Sequence, residues 1–504
     1  MRFSRRQSLM MLAGAGLSPC SLGALQPGAM SGVMSGAMSA EQAPFHALNR
    51  LGFGPSPADA LAIKRLGAEV WLAQFLAQQM QGGLVLPEPW GAQLQGMAGQ
   101  RMSPSELLAL YREAQQAGRE AKQMEGGQSN AQPGVRREML RPIVLEASQQ
   151  RLLRAVHSPG QLEEVLVDFW FNHFNVFAGK GPVGVLVGSY ERGAIRPHVF
   201  GKFRQMLGAT AKHPAMLIYL DNVQNGQQKI GSPAGLNENY ARELMELHTL
   251  GVDGGYTQRD VTELARMLTG WTVDYRAVHT GAVGPAFRFD AGRHDKGAKQ
   301  WLGRAVEPAG QQEGEAALDV LAAHPATARH IAFKLAQAFV ADQPPPALVA
   351  RLSERFLATQ GDLRAVMQSL LEDEAFWSQQ AWGAKFKTPY HYLLSSLRAV
   401  GLSPVDTQPF LSTLSQAGMP LYGAQTPDGY KNVEAAWLNP EALAQRIQWA
   451  SRVGAKEGLR KSAGAELLLT LGDIIKDSTA QALAHEPADL RMALLLASPE
   501  FMHR

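Results

Sequence analysis

Cysteine is nearly absent: the 504 residues contain one, Cys20, close to the N-terminus. A lone thiol excludes a disulfide framework and any cysteine-based metal site, so stability has to come from a packed core. Charge is also sparse, at 18% of residues, and the 48 basic and 45 acidic side chains nearly cancel to +3. Arg2, Arg5 and Arg6 all precede the first acidic residue, Glu41, which leaves the rest of the chain close to neutral. That balance argues against nucleic acid or an anionic membrane surface as the main partner. No later stretch is apolar for long enough to span a bilayer. The nucleophile elbow G-x-S-x-G, the P-loop, H-E-x-x-H and paired cysteines are missing too, which removes the commonest hydrolase, nucleotide and zinc signatures. What remains is 45% hydrophobic residues, enough to bury one large core or two smaller ones.

The first forty residues read as an address, not as structure. Ser4-Arg5-Arg6-Gln7-Ser8-Leu9-Met10 is a twin-arginine pattern, followed by an apolar run from Leu9 to Leu17 and by small residues. The expectation is export by the twin-arginine route to a periplasmic or secreted location, with cleavage between Ala24 and Ala40. Leu17-Ser18-Pro19-Cys20 is a faint lipoprotein box, with proline badly placed before the cysteine. Because this route carries folded proteins, it makes a bound cofactor, such as a divalent metal ion, a reasonable expectation.

Beyond residue 40 the apolar period is helical almost throughout. The predicted fold class is mainly α, a large multi-helix orthogonal bundle with one small β-hairpin insertion near residues 285–303. Residues 41–504 form a single all-α domain in this reading, with sub-domains 41–300 and 301–504 as an option. Predicted helices include one capped by Ser56 and running to about Gln79, and others over residues 103–124, 135–156, 159–177, 326–341, 346–359, 362–371 and 389–400. Phe287 to Gly303 alternates aromatic and polar residues between turn residues, which suits the hairpin. A long aromatic loop, Pro420 to Pro440, reads as a substrate lid or as a packed crossover.

The densest ionisable cluster lies in Gly235–Trp271, GLNENYARELMELHTLGVDGGYTQRDVTELARMLTGW. At about 100° per residue, Asn237, Tyr240, Ala241, Leu244, Met245, Leu247 and His248 share one side of a helix. Glu238, Asn239, Arg242, Glu243 and Glu246 share the other. Three glutamates, an arginine and two asparagines fall within ten residues. Such a face is either a solvated ladder of ion pairs or, if enclosed, a site that must be fully paired or hold a ligand. Gly251 reads as a C-cap, and Thr257 with Asp260 as a capping box that opens a second helix.

Two histidines, His173 in Phe169-Trp-Phe-Asn172-His173-Phe-Asn175 and His248, fall on apolar helix faces. Each alone suits a buried imidazole donating to a carbonyl, but two of them near asparagines suggest a shared pocket. Neither has the Glu-x-x-His spacing of a di-iron bundle. His294-Asp295, with Lys299, reads either as a polar tip over the helical hairpin or as a charged turn.

HALNRLGFGPSP, FWFNHF, PAMLIYLDN, the long central block, FDAGRHDKGAKQWLG and the closing SPEFMHR resemble, in the same order, the domain-of-unknown-function family numbered 1800. The resemblance covers nearly all of the chain beyond the leader. It implies a predominantly helical, exported bacterial protein with no assigned activity, and a sulfatase-like exported protein as a possible partner. The family pattern matches Asn172, His173, Asn237, Glu238, Asn239, Arg242, Glu243, Glu246, His248, His294 and Asp295. It favours tryptophan where this chain has Tyr430.

Two functions follow as expectations. In one, the chain is a metal-dependent or acid–base enzyme acting on a carbohydrate-type substrate outside the cytoplasm. Glu238, Arg242, Glu243, Glu246 and His248 are then catalytic, Asn172, Asn237, Asn239, His294 and Asp295 bind substrate, and His173 ligates a metal. In the other, the polar face is structural and the chain is a non-catalytic partner or assembly factor of a neighbouring exported protein. The discriminating question is whether His173, His248 and the glutamates line one reachable cavity.

Overall fold

A computed structural model describes residues 36–124, 134–227, 235–403, 406–456 and 463–504. The twin-arginine stretch, Cys20 and most of the expected cleavage region lie outside them. Ser35 to Arg504 form one compact unit. The fold is mainly α, with two small antiparallel strand pairs as its sheet structure among the described residues. No helix of the described residues is long and apolar enough to cross a membrane.

Local chemistry sets most helix ends. Ser56 and Asp59 form a reciprocal capping box at the start of Pro57–Leu66. The single helix expected to continue to Gln79 is broken at Gly67, whose φ of 83° no helix tolerates, and chain direction changes before Ala68–Gln79. Thr257 and Asp260 cap Gln258–Met267 as their spacing predicts, and Gly251 takes the left-handed conformation after the preceding helix, with φ 82°. That helix, Asn239–Glu246, buries Tyr240, Ala241, Leu244 and Met245.

The strands differ in one respect from the hairpin expected near 285–303. Phe287–Phe289 (β2) pairs back to Trp271–Val273 (β1), while the local hairpin is Lys299–Trp301 (β3) with Arg304–Val306 (β4). The apolar β1, buried at every residue, takes the aromatic β2 for itself, and the left-handed pair Leu302-Gly303 makes the tight turn further on.

The segment from Arg50 to Gly54 docks against helices much later in the chain. Gly54 O accepts from Arg398 Nε at 2.9 Å, Phe53 O from Ser395 Oγ at 2.8 Å, and Ala381 O from the buried Arg50 guanidinium. Trp170, Trp271 and Trp301 are among the largest fully buried side chains of the core. Helices Gln161–His173, Pro325–Phe339 and Pro389–Ala399 meet around the main cavity.

Candidate functional site

The cavity encloses about 450 Å³. One wall is the end of helix Gln161–His173. Phe174 N–H donates to Trp170 O at 2.9 Å as the helix stops, which leaves Asn172, His173 and Asn175 at its terminus. Asn172 clamps the loop opposite from both sides: its Nδ2 donates to Tyr430 O at 2.8 Å and its Oδ1 accepts from Tyr430 N–H at 2.7 Å. Asn175 Nδ2 donates to the carbonyls of Ala424 and Thr426, and Tyr219 OH to that of Gln425. Gly429 passes so close that a Cβ there would stand 2.4 Å from Asn172 O, and its φ is 68°. The aromatic loop is therefore a packed crossover, pinned along residues 424–430, that closes one side of the cavity.

Helix Pro325–Phe339 supplies the facing wall. It opens with proline at its first position and His324 Nδ1 accepting from Ala326 N–H. Ala328, Ile331, Ala332, Leu335 and Ala336 are buried. His330, Lys334 and Gln337 line the cavity, at i, i+4 and i+7, one face of a helix.

The polar atoms here are incompletely matched. His173 Nε2 donates to His248 O at 3.1 Å, so in the neutral ring Nδ1 carries the lone pair, and that atom has no partner. His330 Nε2 donates likewise to Leu247 O at 3.2 Å. The His173 ring is 6.1 Å from that of His248 and 6.0 Å from that of His330. Burial holds all three neutral, with the Lys334 charge adding to the effect: His248 is lowered to about 3, His330 to about 4, and His173 well below the usual imidazole range. Lys334 is half-buried and makes no hydrogen bond or ion pair among the described residues. Desolvation lowers its amine to about 8, against a weaker opposing pull from Asp428. Deeper in, Arg151 pairs with Asp168 at 2.5 Å and Glu191 at 3.3 Å. Glu191 belongs to a π-helical turn, Glu191–Ile195, and also accepts from Tyr422 OH at 3.0 Å. Arg504 Nη1 lies 3.3 Å from His391 Nε2.

The acidic helix face is elsewhere. Glu238 accepts from Arg242 Nη2 (3.1 Å), Gln258 Nε2 (2.7 Å) and Thr262 Oγ1 (2.7 Å), stitching the two hairpin helices together. Arg242 also donates to Gln258 Oε1 and makes no pair with Glu246, whose Oε2 stands 3.5 Å from Tyr256 OH. Asn237 Oδ1 caps Asn239 N–H, and its own N–H donates to Asn225 Oδ1; Asn239 is exposed. Glu243 is half-buried, and burial with the neighbouring Glu246 raises its carboxyl above the usual range. Neither these glutamates nor His248 lines the cavity, whereas Asn172 and His173 do. Asp428, a cavity residue, lies close enough to Glu243 to add to that rise.

His294 and Asp295 form a third cluster. His294 Nε2 is 3.0 Å from Glu313 Oε1 and Nδ1 is 2.9 Å from Thr269 O. Lys299 reaches Glu313 Oε2 at 2.7 Å, and Asp295 takes the Arg266 guanidinium at 2.9 and 3.1 Å. This network ties the strand region to the second hairpin helix. No three His, Cys, Asp or Glu side chains among the described residues gather as a metal-binding group.

Sequence reasoning passed over His330, Lys334 and Asp428. The available signal was a lysine inside the apolar run Ile331-Ala-Phe-Lys334-Leu-Ala, four residues after a histidine.

Residues 46–503 match the family described as Protein of unknown function (DUF1800). The chain belongs to that family. Nearly the whole DUF1800 chain is covered, so the hairpin, the clamped loop and every cavity residue except Arg504 lie within the matched region. No curated protein and no solved structure matches it.

Proposed function

We propose that this DUF1800 chain is an extracytoplasmic acid–base enzyme acting on a carbohydrate-type substrate, with its centre in the cavity between His173, His330 and Lys334. One observation carries the reading: an unpaired amine, brought to a proton affinity of about 8, faces a cavity that also exposes neutral imidazoles. A group that gains and loses a proton near neutral pH is what general acid–base chemistry requires. Lys334 is the proton carrier, His173 and His330 are neutral relays, and Asn172 fixes the wall against which a substrate lies. Glu243 contributes from behind through Asp428, and Glu238, Arg242 and Glu246 hold the hairpin that carries it. The export signal read in the sequence supports a substrate outside the cytoplasm. The metal-dependent form has less support, because the described residues bring no ligand set together.

The second reading, a binding or assembly partner of a sulfatase-like exported protein, is favoured by the closed pairing of Glu238 with Arg242, Gln258 and Thr262. One experiment separates the two. Exported protein and its Lys334→Met variant are incubated with envelope and extracellular polysaccharides, and products are read by mass spectrometry. The enzyme reading expects product from the parent and a loss of about 100-fold or more in the variant. Equal release by both proteins, or no release alongside a co-purified exported protein, overturns it.

A further inference from the structure

We propose that Lys334 is a covalent nucleophile toward a carbonyl carbon, and that the substrate presents an aldehyde or ketone, as an open-chain sugar end does. This rests on the acid–base reading of the same cavity and names the substrate class.

Several amines of the protein are held by a carboxylate. Lys299 is held by Glu313 at 2.7 Å, Lys180 by Asp221 at 2.7 Å, and Lys385 by Asp342. Lys387 Nζ also lacks a hydrogen-bond partner, but it is buried, stands 4.0 Å over the Phe501 ring and does not line the cavity. Of the two cavity amines, Lys431 is taken by Asp428 at 2.5 Å, while Lys334 has no partner among the described residues. Its charged neighbourhood is mixed. His330 lies one turn before it on its own helix, His173 ends a second helix and His248 follows a third, and all three imidazoles feel the Lys334 charge, while on the loop Asp428 favours the ammonium and Lys431 opposes it. A lysine desolvated in a partly apolar pocket beside a second cation is the arrangement that makes an amine nucleophilic near neutral pH. The cavity's 450 Å³ is within the range of small-ligand sites.

The step balances without a redox partner. The Nζ lone pair forms the C–N bond, and the carbonyl oxygen takes a proton to give a carbinolamine. The C–O bond then breaks, the two amine protons leave with the oxygen as water, and a C=N bond remains; hydrolysis reverses it. His330, one turn before Lys334 on the same helix and lining the same cavity, passes those protons. The neutral imine then takes one proton from solvent, and as an iminium it draws electrons from a bond at the adjacent carbon.

The test is reductive trapping on the full-length folded protein, with glycolaldehyde and cyanoborohydride at pH 7, followed by peptide mapping. Lys334 should acquire the reduced adduct on the order of 10- to 100-fold faster than the median surface lysine, from its larger free-amine fraction. Its rate should rise with pH and level off near 8, and His330→Gln should slow it without changing the surface lysines. Labelling of Lys334 no faster than surface lysines, in protein with unchanged circular dichroism, overturns the proposal. If trapping fails while Lys334→Met still abolishes polysaccharide turnover, the covalent step falls and the acid–base reading stands. If Lys334 is trapped but the methionine variant keeps its turnover, the amine is a nucleophile and the acid–base reading falls.

Discussion

Two polar regions of this protein, the acidic helical hairpin and the cavity beside it, are built in opposite ways. The hairpin has the higher density of charged residues, yet Glu238 alone satisfies three donors and Asp295 takes a bidentate arginine. The cavity is lined by as many ionisable groups, but its amine Lys334 and His173 Nδ1 lack partners, as does His248 Nε2 on the buried side of the hairpin. A carboxylate that already accepts from three donors has little left to offer a substrate. Unmatched polar atoms in an enclosed space are costly to fold and persist where they serve a purpose.

The sharpest way to break this comparison is Lys334→Met. Turnover on a responsive polysaccharide should fall by about 100-fold or more, while thermal stability at pH 7 should rise, on the order of 1 kcal/mol, because an unpaired buried charge is replaced by an apolar chain of similar length. A variant that loses stability instead would mean that the amine is anchored after all. Gly429→Ala attacks the cavity wall: left-handed backbone and a Cβ against Asn172 O should cost about 2–4 kcal/mol, read by chemical denaturation.

Acid should act on the cavity before it acts on the hairpin. His330 and His248 have folded-state affinities of about 4 and 3, below that of an unfolded imidazole. The unfolded chain therefore takes up protons from pH 6.5 downward that the folded chain refuses, so stability present above pH 6.5 is lost as the pH falls toward 4. A loss on the order of 6 kcal/mol over that window is expected from the two groups, and His330→Gln should flatten the curve. Asn172→Ala removes both bonds to the Tyr430 backbone and should cost about 1–3 kcal/mol, with faster hydrogen exchange at Tyr430. The smallest effect belongs to the hairpin: Glu238→Gln should change stability by less than about 1 kcal/mol and leave turnover intact. If it abolished turnover, the comparison would be reversed.

Local chemistry made much of this legible in the sequence. The apolar side of Asn239–Glu246 was readable because a 3.6-residue period needs no tertiary knowledge, and Tyr240, Ala241, Leu244, Met245 and His248 are indeed buried. The Thr257–Asp260 cap was readable because its donors and acceptors are three residues apart. His173 was readable as a buried ring donating to a carbonyl, and the carbonyl is that of His248; His248 is buried as expected, but its own Nε2 has no partner. The cavity was not. Its walls come from positions as far apart as Arg151 and Arg504, and a single lysine in an apolar helix looks the same whether it snorkels to solvent or faces a pocket. Strand pairing across the helix Tyr275–Thr280 was hidden for the same reason, since the hairpin signal is local and the β1–β2 register is not.

The docking of Phe53 and Gly54 onto Ser395 and Arg398 spans separations of 342 and 344 residues. The segment around Phe53 and Gly54 cannot reach its seat until about four-fifths of the polypeptide has left the ribosome, so closure follows most of synthesis instead of accompanying it, and contacts of such range form slowly. A translocon that threads extended chains would meet this protein before these two segments had ever met. The twin-arginine leader expected at the N-terminus would instead delay transit until the last-made helices had locked the earliest ones in place.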